Sequence, residues 1–328
     1  MVMNILVYEY MLSEEFNENS CTMLTNEAKL IINHIIKDLA TYYPNSKISL
    51  LANKKNRKIL KDIKIINRDY SKNIIEDIVN YKSDYEKFLI LAPEENQQMF
   101  RLIKSLENNR ISLINCTSDF INIAGNKITT YDYLKKINGN IIEVYKDYKE
   151  ISKDLPVVSK LIDGLGSEKL CIFKNRKDLE NNKNKISKKH FFQKYCEGEV
   201  VGINIVASKN KIKILSINQQ IYNYFSKHEI KLDQIYFGKY NNMINAFNIF
   251  VENVMKNFHG YNGFFGIDVI LTIDKKILFL EINPRLTTSY IGLSKSLGFN
   301  PIKILNDINY EFDINNNSIF LVDINNEK

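Results

Sequence analysis

GFFGIDVILTIDKKILFLEINPR, residues Gly263–Arg285, has the alternating pattern of two strands joined by a tight turn near Asp274 and Lys275. If the strands pair about a turn centred between those two residues, Asp268 lies directly across from Glu281. Residues that face each other in this way share one side of the sheet. The stretch therefore predicts a hairpin with two carboxylates side by side.

The same hairpin presents a candidate metal site. Asn283 is two residues beyond Glu281 and points to the same face, because side chains alternate along a strand. Two carboxylates among isoleucine and leucine repel each other and lose hydration unless a cation neutralises them. Mg²⁺ and Mn²⁺ both accept such oxygen ligands and keep positions for phosphate and water. Asp268, Glu281 and Asn283 are the candidate ligands, and Arg285 would offer a fork of donors to phosphate oxygens. A plain hairpin with two exposed acids is the alternative.

A second informative segment is VVSKLIDGLGS, which begins at residue 157. It has Lys160 near the end of an apolar strand, followed by Gly164 and Gly166. Glycines let backbone amides approach a phosphate closely, and a lysine beside them supplies a point charge. The segment lacks the Walker arrangement, which argues against the P-loop class. Taken alone, an ordinary turn explains it as well.

A third segment, FFQKYCEGEV from residue 191, places polar residues directly after a strand that has a buried pattern. Extended backbone at its end could hydrogen-bond an adenine edge, and Glu199 could accept hydrogen bonds from ribose hydroxyls. An ordinary strand end is the alternative for this segment.

The first 120 residues alternate strand-like and helix-like segments, which indicates a parallel sheet. The predicted strands are Asn4–Glu9, Lys47–Leu51, Lys87–Ala92 and Ile111–Asn115, and the predicted helices are Thr25–Leu39 and Gln97–Glu107. Further along, short strand-like segments predict a small, mostly antiparallel lobe over residues 121–196. A larger lobe over 197–328 contains the hairpin. The predicted fold class is α/β (α+β), with a doubly wound N-terminal domain over residues 1–120 and two α+β lobes.

Composition limits the function classes. The 328 residues are 45% apolar and 25% charged, as in a globular protein, and no apolar run is long enough to cross a bilayer. We expect no membrane partner and a cytoplasmic location. The formal net charge of +7 allows a basic surface module, but lysines cluster only at Lys54–Lys58 and Lys183–Lys189, without interleaved aromatic residues. Nucleic acid is therefore not expected as a partner.

Taken in the order in which they occur along the chain, the segments resemble the ATP-grasp superfamily over roughly residues 115 to 305. The resemblance implies two lobes that enclose ATP, with one or two Mg²⁺ or Mn²⁺ ions, two being expected, on Asp268, Glu281 and Asn283. It implies catalytic roles for Lys160 and for Arg285, which would face an acyl-phosphate. The ATP-binding residues that it implies are Lys127, Lys160, Gly164, Gly166, Ser167, Gln193, Lys194, Tyr195, Cys196 and Glu199.

Within the superfamily, EINPRLTTSYIGL (Glu281–Leu293) and LSINQQ (Leu215–Gln220) resemble the archaeal tyramine–glutamate ligases of methanofuran biosynthesis. That resemblance implies small-molecule substrates, the γ-carboxyl group of glutamate and the amine of tyramine. The substrate-side candidates are Asn218, Gln220, Thr287, Thr288 and Ser289. Another ATP-grasp amino-acid ligase and a nucleotide-binding protein without catalysis remain as alternatives, and the sequence predicts no oligomeric state.

Overall fold

The computed structural model describes residues 2–16, 22–58, 63–136, 140–151, 156–164, 170–182, 186, 189–208, 211–224 and 226–324. Two of the predicted phosphate-loop residues, Gly166 and Ser167, lie outside these ranges, as does most of the second lysine cluster. None of the helices in the described ranges has the length and apolar content that a membrane crossing requires.

The N-terminal sheet is parallel, with strand order β3-β2-β1-β4 in the described residues. Its strands are β1 (Ile5–Glu9), β2 (Ile48–Ala52), β3 (Ile65–Asn67) and β4 (Lys87–Leu91), and its helices are α1 (Tyr10–Ser13), α2 (Thr22–Tyr42), α3 (Ile74–Val79) and α4 (Gln98–Asn108). Helix α2 packs on one face and helices α3 and α4 pack on the other, which confirms the doubly wound prediction. The predicted strand Ile111–Asn115 was wrong, because only Leu113 forms a bridge, to Phe88.

Two short helices lead into a second, antiparallel sheet with strand order β5-β8-β6-β7. The elements are α5 (Ser118–Ala124), α6 (Lys127–Lys135), β5 (Val144–Tyr145), β6 (Val157–Leu161), β7 (Cys171–Phe173), α7 (Arg176–Asn182) and β8 (His190–Lys194). A small core, which includes Val157, Phe173 and Phe192, packs beneath this sheet.

The third sheet has the strand order β13-β12-β9-β10-β11-β14 within the described residues and is antiparallel. Its elements and those that follow it are β9 (Glu199–Ser208), β10 (Lys211–Tyr224), β11 (Ile230–Phe237), α8 (Ile244–Met255), β12 (Gly263–Leu271), β13 (Ile277–Asn283), α9 (Leu293–Leu297), α10 (Ile302–Asn306) and β14 (Phe320–Asp323). Strands β11 and β14 were not predicted from the sequence. Their burial patterns do not alternate regularly, which leaves a weak strand signal.

The hairpin β12–β13 has the predicted pairing of Asp268 with Glu281, although the turn is centred on Asp274, half a residue from the predicted centre. Next to the turn, Leu271 pairs with Ile277, and a bulge at Leu280 of β13, opposite Asp268 and Val269, then shifts the register by one residue. Lys275 in the turn has a φ of +62°. The bulge compensates for the turn, so the two acids face each other as predicted.

Candidate active site

The face of the hairpin brings together the predicted metal ligands. Asn283 donates a hydrogen bond from Nδ2 to Asp268 Oδ2 at 2.9 Å, and Gln220 donates from Nε2 to Asp268 Oδ1 at 2.8 Å. Burial and the neighbouring Glu281 raise the pKa of Asp268 well above its ordinary range. Tyr222 in turn donates to Gln220 Oε1 at 2.9 Å, so a chain of hydrogen bonds supports this carboxylate.

Both predicted lysines converge on the second acid. The Lys127 ammonium lies 3.4 Å from Glu281 Oε2 and donates to the carbonyl of Gly164 at 3.2 Å. Burial alone would raise the pKa of Glu281, but Lys127 and Lys160 together lower it below its ordinary value. Burial lowers the pKa of Lys160, and the nearby Glu281 opposes that shift. The two cations and two acids form one electrostatic unit.

The donor set fits a hard divalent cation. Asp268, Glu281 and Asn283 supply carboxylate and amide oxygens on one face, and burial together with the neighbouring Glu281 raises the pKa of Asp268. Among the described residues, no group of three or more His, Cys, Asp or Glu side chains is placed to hold a metal. Mg²⁺ or Mn²⁺ therefore suits this site better than zinc, which favours nitrogen and sulfur ligands.

One cavity, which we call the lysine cavity, opens between the second and third sheets. The predicted ATP-binding residues that line it are Lys127, Lys160, Gly164, Gln193, Lys194, Tyr195 and Cys196. Apolar side chains of both sheets, such as Val158 and Ile270, complete the wall. A flat aromatic ring system between apolar side chains, with phosphates toward the lysines, suits this shape and charge.

The end of β8 is extended as predicted, but two of the backbone amides there already donate hydrogen bonds within the protein. The amide of Lys194 donates to the carbonyl of Glu143 at 2.9 Å, and that of Tyr195 donates to Pro156 at 3.0 Å. These bonds fix the segment at the edge of the cavity. An adenine contact by Gln193–Cys196 stays a prediction.

Glu199 is not among the residues that line the lysine cavity. Its carboxylate accepts a hydrogen bond from Tyr240 Oη and one from Lys239 Nζ, the latter at 3.0 Å. Strand alternation puts the Glu199 side chain on the sheet face opposite Val200, which does line the cavity. The predicted ribose contact by Glu199 therefore has no support from this arrangement.

A second cavity, which we call the arginine cavity, lies between the N-terminal sheet and the third sheet. It is lined by Arg285 and by four of the substrate-side candidates, Gln220, Thr287, Thr288 and Ser289. Asn218 is elsewhere: it is fully buried and accepts a hydrogen bond from the Gly238 amide at 2.9 Å while donating to Ser216 at 3.1 Å. Asn218 therefore supports the fold, because its side chain holds the backbone at Gly238, where a turn begins.

Arg285 is held in place by an acid of the N-terminal sheet. Its Nε lies 3.0 Å from Glu94 Oε1, and its Nη1 donates to the carbonyl of Leu286 at 3.0 Å. Glu94 follows strand β4 and is itself buried. The ion pair therefore joins the first sheet to the end of the hairpin across 191 residues of sequence.

Sequence reasoning missed three acids near this cavity, Glu9, Glu27 and Glu94. Glu9 is the last residue of β1, and Glu94 follows β4, so both lie at the carboxyl ends of parallel strands. Ligands bind at that edge of open α/β sheets, and this rule could have identified Glu9 and Glu94. Glu27 lies within α2 and carries no comparable signal.

The two cavities meet at a common wall. Tyr222, Asp268 and Glu281 line both of them. A group in the lysine cavity and a group in the arginine cavity would therefore approach each other at the carboxylates. This arrangement can transfer a charged group from one bound molecule to another while oxygen ligands and cations surround it.

Comparisons with known proteins agree with this geometry. A family model described as an ATP-grasp domain matches residues 124–289. The tyramine–L-glutamate ligase of Methanocaldococcus fervens is 27% identical over 322 residues, which cover 94% of this chain and 95% of that protein. The enzyme of the same name from Methanocaldococcus jannaschii is 28% identical over 316 residues, covering 94% and 90%. An ATP-grasp superfamily protein from Archaeoglobus fulgidus has a similar structure, with a TM-score of 0.72, 18% identity and coverage of 93% of this chain and 88% of that one.

Proposed function

Since the chain belongs to the ATP-grasp family, we propose that it joins the γ-carboxyl group of glutamate to the amine of tyramine, converting ATP to ADP and phosphate. The enzyme class, an ADP-forming ligase that makes an amide bond, follows from the family and the relatives. The finer choice of glutamate and tyramine is taken from the names of the two relatives. A role in methanofuran biosynthesis is proposed only because glutamate and tyramine are the proposed substrates.

The common wall of the two cavities carries this proposal. ATP in the lysine cavity would direct its terminal phosphate toward Asp268 and Glu281, and the acid substrate would lie beyond them near Arg285. An oxygen of the substrate carboxylate attacks the γ-phosphorus, the bond to the β-phosphate oxygen breaks, and ADP leaves. The products of this step are an acyl-phosphate and ADP.

The chain's own charges suit that step. Lys127 and Lys160 would hold phosphate oxygens on one side, and the Arg285 guanidinium would orient the acyl-phosphate on the other. Asp268, Glu281 and Asn283 would hold Mg²⁺ or Mn²⁺, which offsets negative charge on the phosphates when it is bound.

In the second step the amine, in its neutral form, attacks the carbonyl carbon of the acyl-phosphate with the lone pair of its nitrogen, so an ammonium group has to release one proton before this step. Phosphate leaves with the electrons of the carbon–oxygen bond, and the nitrogen loses a proton to give the amide. On this proposal residues 1–120 supply one wall of the arginine cavity, residues 121–196 cover the nucleotide, and residues 197–328 supply the metal ligands and Arg285.

The test is ADP release with ATP, Mg²⁺ and glutamate, comparing tyramine with other amines and with no amine. We expect release that depends on tyramine, together with γ-glutamyltyramine identified by mass spectrometry. Release with a different amine would keep the ligase and reject the tyramine assignment. Release with tyramine but another acid in place of glutamate would reject the glutamate assignment.

A further inference from the structure

One wall of the arginine cavity is a helix face that combines a single acid with apolar side chains. Leu24, Glu27, Ala28 and Ile31 occupy positions i, i+3, i+4 and i+7 of α2, so they lie on one face, and all four line the cavity. Ile235 of β11 adds a further apolar side chain. A ligand that fits this wall needs an apolar body next to a group that a carboxylate can bind.

The charges in the cavity indicate which group that is. The side chains of Glu9 and Glu27 form no ion pair with any other described residue, whereas Arg285 is already paired with Glu94 at 3.0 Å. Glu9 is only 7% exposed, and burial raises its pKa to about 7, against hydrogen bonds from the amides of Leu12 and Met11. Glu27 contacts the hydroxyl of Thr288. Arg285 also acts on Glu9 and Glu27, but it is one cation among three acids and its ion pair is made with Glu94. The remaining negative charge favours a cationic ligand here.

We infer that the α2 wall selects the amine substrate as a primary ammonium group on an apolar body, with Glu27 and Glu9 binding the ammonium group. This inference rests on the proposed ligase reaction. The acid substrate suits the wall poorly, because glutamate is charged at both ends and has no apolar body. The carboxylates of glutamate would instead interact with Arg285 and with Mg²⁺ or Mn²⁺ when the ion is bound. Glu27 and Glu9 are thus specificity residues for the amine, and Leu24, Ala28 and Ile31 contact its apolar part.

Steady-state kinetics of Glu27→Gln test the ammonium contact. Glutamine keeps the size of the side chain and its hydrogen bond to Thr288 but removes the charge. We expect the KM for tyramine to rise roughly ten- to a hundredfold, the range of a hydrogen bond to a charged group, while the KM values of glutamate and ATP change less than about twofold. Glu76→Gln, in the capping box of α3 on the same sheet, is the matched control and should leave all three KM values unchanged.

Glu9→Gln extends the test, because glutamine can still accept the hydrogen bond from the Leu12 amide that caps α1. Its effect should again fall on the KM for tyramine. If either variant raises the KM for glutamate instead, the carboxylates bind the α-ammonium group of the acid and the inference is overturned. If neither variant changes any KM, it is also overturned.

A binding measurement separates this inference from the reaction. Calorimetry on the whole protein with ADP and Mg²⁺ would compare tyramine with 2-(4-hydroxyphenyl)ethanol, which has the same body without the charge. We expect the wild type to bind tyramine at least about tenfold more tightly and Glu27→Gln to lose that preference. If ADP release with tyramine occurs but Glu27→Gln keeps the preference, the inference fails while the reaction stands. If no amine is turned over but the preference depends on Glu27, the ammonium site stands and the proposed reaction fails.

The apolar half of the wall has its own test. Leu24→Ser removes apolar surface from the cavity at a side chain that is not fully buried. It should weaken tyramine binding by roughly tenfold and leave the binding of methylamine, which has no extended body, unchanged. Equal losses for both amines would mean that the wall does not contact the body of the ligand.

Discussion

The lysine cavity and the arginine cavity are built from the chain in different ways. All the described lining residues of the lysine cavity come from residues 127–281, and most lie on neighbouring strands of two sheets. The arginine cavity collects side chains from residue 9 to residue 289, with α2 and the end of β4 facing the segment after β13. The two cavities have in common only the wall of Tyr222, Asp268 and Glu281, within the described residues.

On the proposed function, the two cavities have tasks with different physical requirements. Holding phosphates and a divalent cation requires lysines and oxygen ligands at fixed positions, which strands of a rigid sheet provide. Recognising an acid and an amine requires only a suitable shape and charge, which many combinations of distant residues can supply. Substitutions should therefore differ in which substrate they affect, according to the cavity in which they lie.

The largest effect is expected at the common wall. Glu281→Gln removes the charge that faces Lys127 and Lys160 and that would bind the metal, so both cavities lose one of the two acids that they share. We expect kcat for ADP release to fall on the order of a thousandfold, as for loss of a main electrostatic element of a transition state. Thermal denaturation would check that the variant is folded. A loss of less than about tenfold would contradict the role of the wall as the meeting point.

A smaller, one-sided effect is expected from the Glu94–Arg285 pair. Glu94→Gln leaves the half-buried Arg285 without its ion-pair partner, which disturbs the orientation of the guanidinium. We expect kcat to fall about tenfold, with the KM for ATP unchanged, because the lysine cavity is intact.

Glu95→Gln is the matched control for this pair. The neighbouring Glu95 is ion-paired with Lys189 at 3.6 Å, and both side chains are about half exposed. Exposed pairs contribute little, so its kcat should stay within about twofold of the wild type. Equal effects of the two variants would show that the segment, rather than the contact with Arg285, matters.

The facing pair of acids, Asp268 and Glu281, could be predicted from sequence because the two are 13 residues apart in one hairpin and strand alternation fixes their common direction. The predicted register was right although the turn was misplaced, since a bulge restored it. Glu27 could not be predicted in the same way. Its partner Thr288 is 261 residues away, and a glutamate on an amphipathic helix usually faces solvent. Only the packing of α2 against the segment after β13 makes Glu27 part of a cavity.

Gly202 tests how the third sheet supports the common wall. A Cβ atom there would lie 2.5 Å from Gln220 Nε2 and 3.2 Å from Asp268 Oδ1, so Gly202→Ala must displace the flexible glutamine and break its hydrogen bond to Asp268. We expect the Mg²⁺ concentration for half-maximal activity to rise about tenfold, as when a residue that orients a ligand is lost. Gln220→Ala should have the same effect, and the double variant should have no more, because both act on one bond. Additive effects would show that Gly202 acts elsewhere.

The smallest expected effect concerns stability in the segment that follows Glu94. After Glu94 the chain passes through Asn96 and Gln97 with φ of +53° and +58°, a region that is unfavourable for residues with a side chain. Gln97→Gly should raise the free energy of unfolding by about 0.5–1 kcal/mol, because relief of the strained backbone exceeds the greater entropy of glycine in the unfolded chain. Gln98→Gly, one residue further and in right-handed helical conformation with a φ of −64°, should lower it by about 1 kcal/mol. Urea denaturation measures both. If kcat of Gln97→Gly also falls, the strained backbone positions Glu94 and Arg285; if it stays unchanged, the strain affects stability alone.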